Sequence, residues 1–157
     1  MSRWFSGSGY EIEYEDLLET INQHTTEGGA IYIGTDSFLT KNHCIFATAI
    51  CLHGAKTSHS GKYYIHRNKA SSKKFKSLLG RIMTEVEKTI FIAMELDKTC
   101  PDLIIELHLD ISATNKPGET SKFSDMLTGY AKSTGFSCKI KPDSWASSAV
   151  ADRHSKK

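Results

Sequence analysis

AIYIGTDS, residues 30–37, reads as a buried strand that ends on an acid. Its first residues are apolar, β-branched or aromatic, which suits a strand covered on both faces. Just upstream, Glu27-Gly28-Gly29 closes a short amphipathic helix over 12–24 that carries Tyr14, Leu17, Leu18 and Ile21 on one face. Residues 1–10, rich in Gly and Ser, read as a mobile leader. Downstream, CIFATAICLH (44–53) and KYYIHR (62–67) read as two more strands. The three follow one another closely, so antiparallel hairpins are the simplest connection.

The period then changes. From 71 to 96, apolar residues recur at three and four (Phe75, Leu78, Leu79, Ile82, Met83, Val86, Ile90, Ala93, Met94), which predicts a long amphipathic helix stopped by Cys100-Pro101. DLIIELHLDIS (102–112) is a fourth strand, 120–134 a helix ended by Gly135, FSCKIK (136–141) a fifth strand, and Ser144 can cap a last helix to about 156. Three consecutive strands followed by alternating helix and strand imply an α/β protein with a mixed sheet and right-handed crossovers. That is the element order of the ribonuclease-H-like fold: a five-stranded mixed sheet, order 3-2-1-4-5, with helices on both faces. The expected division is an N-terminal extension, 1–29, and one domain, 30–157.

Two acids sit where apolar strands end: Asp36 closes AIYIGTD and Asp110 closes LIIELHLD. In this topology the two strands are parallel neighbours about 4.8 Å apart, so both carboxylates stand near the carboxyl ends, side by side. Each could alone cap a turn. Together they repel unless a divalent cation neutralises them, and hard oxygen ligands suit Mg²⁺ or Mn²⁺. The long helix offers a third acid. With its apolar face centred on Leu79 and Val86, Glu87 lies at about 80° and Glu85 at about 120°. Glu87 is therefore the first choice, with Glu85 still open. Asp152, on a last helix whose Ala146, Ala149 and Val150 permit close approach to the sheet, is the fourth.

The 157 residues carry 20 Lys and Arg against 18 Asp and Glu, a net charge of +2 that permits a nucleic-acid partner without requiring one. No apolar run reaches the ~20 residues of a membrane helix, and no secretory leader is recognisable, so a cytoplasmic protein with no membrane partner is expected. The four cysteines (44, 51, 100, 138) lack zinc-site spacing and read as reduced thiols. Oligomeric state is not legible.

The segments IGTDS (33–37), LHLDIS (107–112) and IKPDSWASSAVADRHSK (140–156) resemble the YkuK-like family of ribonuclease-H-like proteins across roughly residues 28–157. In the wider superfamily, acids on the first strand, first long helix, fourth strand and last helix act in catalysis. The resemblance carries those roles to Asp36, Glu87, Asp110 and Asp152. It implies metal-dependent hydrolysis of phosphodiester bonds in RNA, RNA–DNA hybrid or branched DNA by two Mg²⁺ or Mn²⁺ ions. His154, two residues past Asp152, could shuttle protons or assist product release, or serve as a dipole partner at the helix end. Lysines and arginines near the acids would hold the nucleic acid: Arg67, Lys69, Lys73 and Lys74; Lys116 and Lys122; Lys139, Lys141, Arg153, Lys156 and Lys157. Without the extended basic loop of some ribonucleases H, a non-catalytic nucleic-acid-binding or scaffold protein on the same fold is the alternative.

Overall fold

The structure, a computed structural model, describes residues 3–113 and 121–156. Its elements are β1 (Trp4–Ser6), β2 (Glu11–Ile12), α1 (Tyr14–Thr26), β3 (Ala30–Leu39), β4 (His43–His53), β5 (Tyr63–Ser71), α2 (Leu78–Thr99), β6 (Ile105–His108), α3 (Ser124–Lys132) and β7 (Ser137–Lys139). The chain ends in a helix wound as π over Ala146–Ala151 and as α over Asp152–Ser155, the latter α4.

The sheet is mixed and has seven strands rather than the expected five, in the order β2-β1-β5-β4-β3-β6-β7. The five expected strands stand in their expected order. Of the two additional ones, β1 comes from the stretch 1–10 read as mobile, and β2 is Glu11 with Ile12, the residue read as the start of the first helix. β1 pairs antiparallel with β5, and Trp4 is 1% exposed in the main core. One large indole buried on a three-residue strand supplies the apolar area that fixes this edge.

Strand alternation divides β3 between two cores. Ile31 and Ile33 join Leu17 and Ile21 of α1 and Ile82, Val86 and Ile90 of α2 in the larger core. On the opposite face, Ala47, Ala49, Cys51 and Ile65 meet Ala146, Val150 and Ala151 of the C-terminal helix. Helices therefore cover both faces, and α1 shares a core with the sheet. The long helix begins at Leu78 rather than 71, because Ser77 Oγ accepts the Gly80 N–H and caps it there. β6 spans only four residues of the expected 102–112.

The C-terminal helix sits unusually close to the sheet, and Gly34 is the reason. A Cβ at Gly34 would lie 2.5 Å from the Ser147 backbone nitrogen and 2.8 Å from the Ala146 carbonyl carbon. Backbone atoms cannot swing aside as a side-chain tip can. Gly34→Ala is therefore expected to push the helix off the sheet. The expected cost is about 3 kcal/mol, the upper part of the overpacking range, and a melting temperature lowered by roughly 6–12 °C. An unchanged melting curve would contradict this packing.

Candidate metal centre

β3 runs past its neighbour. It pairs with β6 only from Ile31↔Ile105 to Gly34↔His108, then continues to Leu39 bonded to β4 alone. A gap opens beside Thr35–Leu39. Asp36 lies on β3 at that gap, and Asp110 lies two residues beyond the end of β6, so the register that joins Gly34 to His108 sets the two acids opposite each other. Carboxyl ends of parallel strands at such a divergence are where α/β sheets place their ligand sites.

The third acid comes from α2, and it is Glu85. One carboxylate oxygen each from Asp36, Glu85 and Asp110 lie within 4.8 Å of one another. Glu87 is exposed and borders a different cavity, with Phe46, Thr48 and Phe91. Glu85, the alternative left open, joins the group, and Glu87, the first choice, does not. The buried face of α2 is Ile82, Glu85, Val86, Thr89, Ile90, Ala93 and Leu96. From the centre of that face Glu85 lies at about 60° and Glu87 at about 140°. Leu79, half-buried in the first turn, had pulled the apolar centre to the wrong flank, and Thr89 was not counted because it is polar. Thr89 is buried by bonding: its hydroxyl donates to Thr35 Oγ1 at 2.8 Å, and Thr35 contacts Thr48 Oγ1 at 2.9 Å.

Each acid is held differently. Ser155 Oγ donates to Asp36 Oδ2 at 2.8 Å, from the face of the C-terminal helix. Ser37 Oγ, one residue on and facing the other way, donates to Glu85 Oε2 at 2.5 Å. Lys141 Nζ lies 3.1 Å from Asp110 Oδ1, close enough for an ion pair but outside hydrogen-bond alignment. Burial pushes the Asp36 carboxyl up to about 7, helped by a hydrogen bond with Asp110 and by the charges of Asp110 and Asp152. Burial likewise raises Glu85 well above the usual carboxylate range; the Ser37 bond opposes this, while Asp36 and Asp110 add to it. Burial disfavours the charged form of both carboxyls by more than the Ser155 and Ser37 hydroxyls and the Arg81 charge favour it.

Asp152 stands at the rim, outside the three-acid group. Lys156 Nζ donates to its Oδ1 at 2.8 Å, and the side chain is 37% exposed. Lys156 is held in its charged form by that bond first, and by the fields of Asp36 and Asp110. His154 is buried against β5, its Nε2 3.0 Å from the Tyr63 hydroxyl oxygen, and it is not part of the carboxylate group. The shuttle role expected for it thus lacks support from the cluster. The helix presents Ser155, which was not anticipated, to Asp36. π-winding through Ala146–Ala151 shifts which residues face the sheet. His108, 0% exposed, fixes the start of that helix. Its Nδ1 accepts the Ala146 N–H at 3.0 Å, so its Nε2 carries the proton and donates to Glu106 at 2.9 Å.

Among the basic residues, Lys141 and Lys156 are paired with site acids. Arg67, Lys69, Lys73, Lys74, Lys122, Lys139 and Arg153 are exposed. Lys116 and Lys157 lie outside the described residues. Trp145 packs on Tyr32 and His108, with ring centres 5.1 and 5.0 Å away. Cys44, Cys51, Cys100 and Cys138 carry free thiols.

A mixed sheet with this order, helices on both faces and acids gathered at the divergence of its central parallel pair describes a ribonuclease-H-like protein. Residues 13–156 match the family described as Ribonuclease H-like, and the chain belongs to it. It is similar to the uncharacterized protein YkuK of Bacillus subtilis (strain 168), 26% identical over 172 residues and covering 98% of this chain and 96% of that one. No solved structure matches significantly. Among the described residues, no helix is long and apolar enough to cross a membrane.

Proposed function

We propose that this protein is a divalent-metal-dependent nuclease that hydrolyses phosphodiester bonds in RNA, RNA–DNA hybrid or branched DNA. The observation that carries this reading is the meeting of Asp36, Glu85 and Asp110 within 4.8 Å. The donors fit the group. They are all hard carboxylate oxygens, and burial together with the neighbouring acids raises the Asp36 and Glu85 carboxyls, a disfavouring of negative charge that a bound Mg²⁺ or Mn²⁺ would offset.

When bound, such ions supply activation of water and charge stabilisation at the leaving oxygen. The chain's own part is to hold and orient. Asp36, on the central strand and touched by both Asp110 and Ser155, would hold the metal together with Asp110, Glu85 and the rim acid Asp152. Ser155 and Ser37 fix the rotamers of Asp36 and Glu85, and Lys141 and Lys156 give their acids a counter-charge until a cation and substrate arrive. Those same two lysines favour the second reading, a nucleic-acid-binding protein without catalysis, in which ammonium groups take the place of metal.

Purified protein incubated with labelled hybrid, single-stranded and four-way-junction substrates decides between the two. Cleavage that needs Mn²⁺ or Mg²⁺ supports the nuclease, and its absence on all three removes it. Within this test, Glu85→Gln is expected to lower cleavage about 10²-fold or more and Glu87→Gln less than twofold, the contrast expected when one acid reaches the reacting charge and the other is solvated. The reverse order would move the site to the other flank of α2.

A further inference from the structure

A row of side chains crosses the sheet beneath the C-terminal helix. Asp36 on β3 is opposite Ala47 on β4, and Ala47 is opposite Arg67 on β5. Strands lie about 4.8 Å apart, so Arg67 stands about 10 Å from Asp36 along the row. Lys69 shares its face, by the period of two. The face continues onto β1, where Phe5 pairs with Ile65. The Arg3 guanidinium lies 5.3 Å from the centre of the Phe5 ring. Glu11 fixes it there with two hydrogen bonds of 3.1 and 2.8 Å.

Between these groups opens a cavity of about 830 Å³. Its walls include Phe5, Arg67, Lys69 and His154, and among the described residues no carboxylate lines it. His154 is the chain neighbour of Ser155, which holds Asp36, so one turn of helix joins this cavity to the acid centre. The wall on the far side exists because the N-terminal strands add to the sheet.

We infer that this cavity is a subsite for one unpaired nucleotide strand: a base stacks on Phe5, and Arg67 and Lys69 hold phosphates adjoining the one presented to Asp36. An aromatic ring among cations is the platform that single-strand binders use, and a base inside a duplex is stacked on both faces and has none to offer it. The identity of the entering chain rests on the proposed nuclease reading, but binding is measurable without metal or turnover.

The test uses the full chain in EDTA and a fluorescent oligouridylate of about 12 nucleotides, within the span of single-strand sites. Anisotropy titrations across salt concentrations give affinity and salt slope. Phe5→Leu, which keeps the apolar contact, is expected to weaken binding about tenfold with the salt slope unchanged, and Phe5→Trp to restore it. The double variant Arg67→Ala, Lys69→Ala is expected to weaken binding at least tenfold and to flatten the slope by about 1.4, two phosphates of a single strand. Photocrosslinking of wild-type protein with a 5-iodouridine oligonucleotide should mark the peptide holding Phe5, which decides the matter if a variant fails to fold. Crosslinks elsewhere, an affinity indifferent to Phe5→Leu, or a blunt duplex bound as tightly with the same dependence on Phe5 would each overturn the inference. Metal-dependent cleavage that ignores all these substitutions retires the subsite alone. Phe5-dependent binding with no cleavage on any substrate retires the nuclease alone.

Discussion

Asp36→Asn should leave metal-dependent cleavage at least about 10³-fold below the native chain, with the fold intact. Asp36 is the acid through which the others are coupled. It bonds to Asp110, accepts from Ser155, and its charge acts on both Glu85 and Lys156. A neutral amide there keeps an acceptor for Ser155 and a donor for Asp110 but takes away the negative charge that a pair of cations needs. Losing about 4 kcal/mol of charge stabilisation is worth about 10³ in rate. Because the substitution also removes repulsion among buried acids, the metal-free variant should melt at or above the native temperature near neutral pH. The checks are single-turnover cleavage in Mn²⁺ and thermal melting in EDTA. Equal cleavage by both proteins would place the activity elsewhere.

Much of this centre was legible because strand periodicity is a strong signal. AIYIGTD and LIIELHLD each end on an acid, and a constant register from Ile31↔Ile105 to Gly34↔His108 carries straight to Asp36 and Asp110. What escaped was short or tertiary. β1 and β2 have three and two residues, too few to display an alternation, and their Gly and Ser neighbours read as leader. Glu85 was ranked second because an apolar count cannot register Thr89, a polar residue buried with its hydroxyl bonded to Thr35 of the sheet. The roles of Ser155 and His154 depend on π-winding, which a run of small residues does not announce. Gly34 carried a readable hint, since a glycine inside a strand marks close backbone approach. Its partner was partly visible in the small residues Ala146, Ala149 and Val150; the structure adds Ser147.

The same burial that ties the acids together fixes how stability should vary with pH when no cation is present. In the unfolded chain Asp36 titrates at its ordinary 3.8; in the folded chain it titrates at about 7. Between those values the folded protein keeps a proton that the unfolded chain has released. Folding then takes up a proton, and stability falls as pH rises through this window, levelling off above it. At about 1.4 kcal/mol per pH unit, Asp36 alone contributes a loss on the order of 4 kcal/mol, and Glu85 acts in the same direction. A divalent cation competes with these protons, so Mn²⁺ should stabilise little near pH 5 and strongly near pH 8. Denaturant titrations in EDTA across that range should therefore show a falling midpoint that Mn²⁺ flattens and that Asp36→Asn makes shallower, leaving the part due to Glu85. A midpoint that instead rises from pH 5 to pH 7, with no response to Mn²⁺, would mean that the three carboxylates are not confined together, and the metal centre would have to be abandoned.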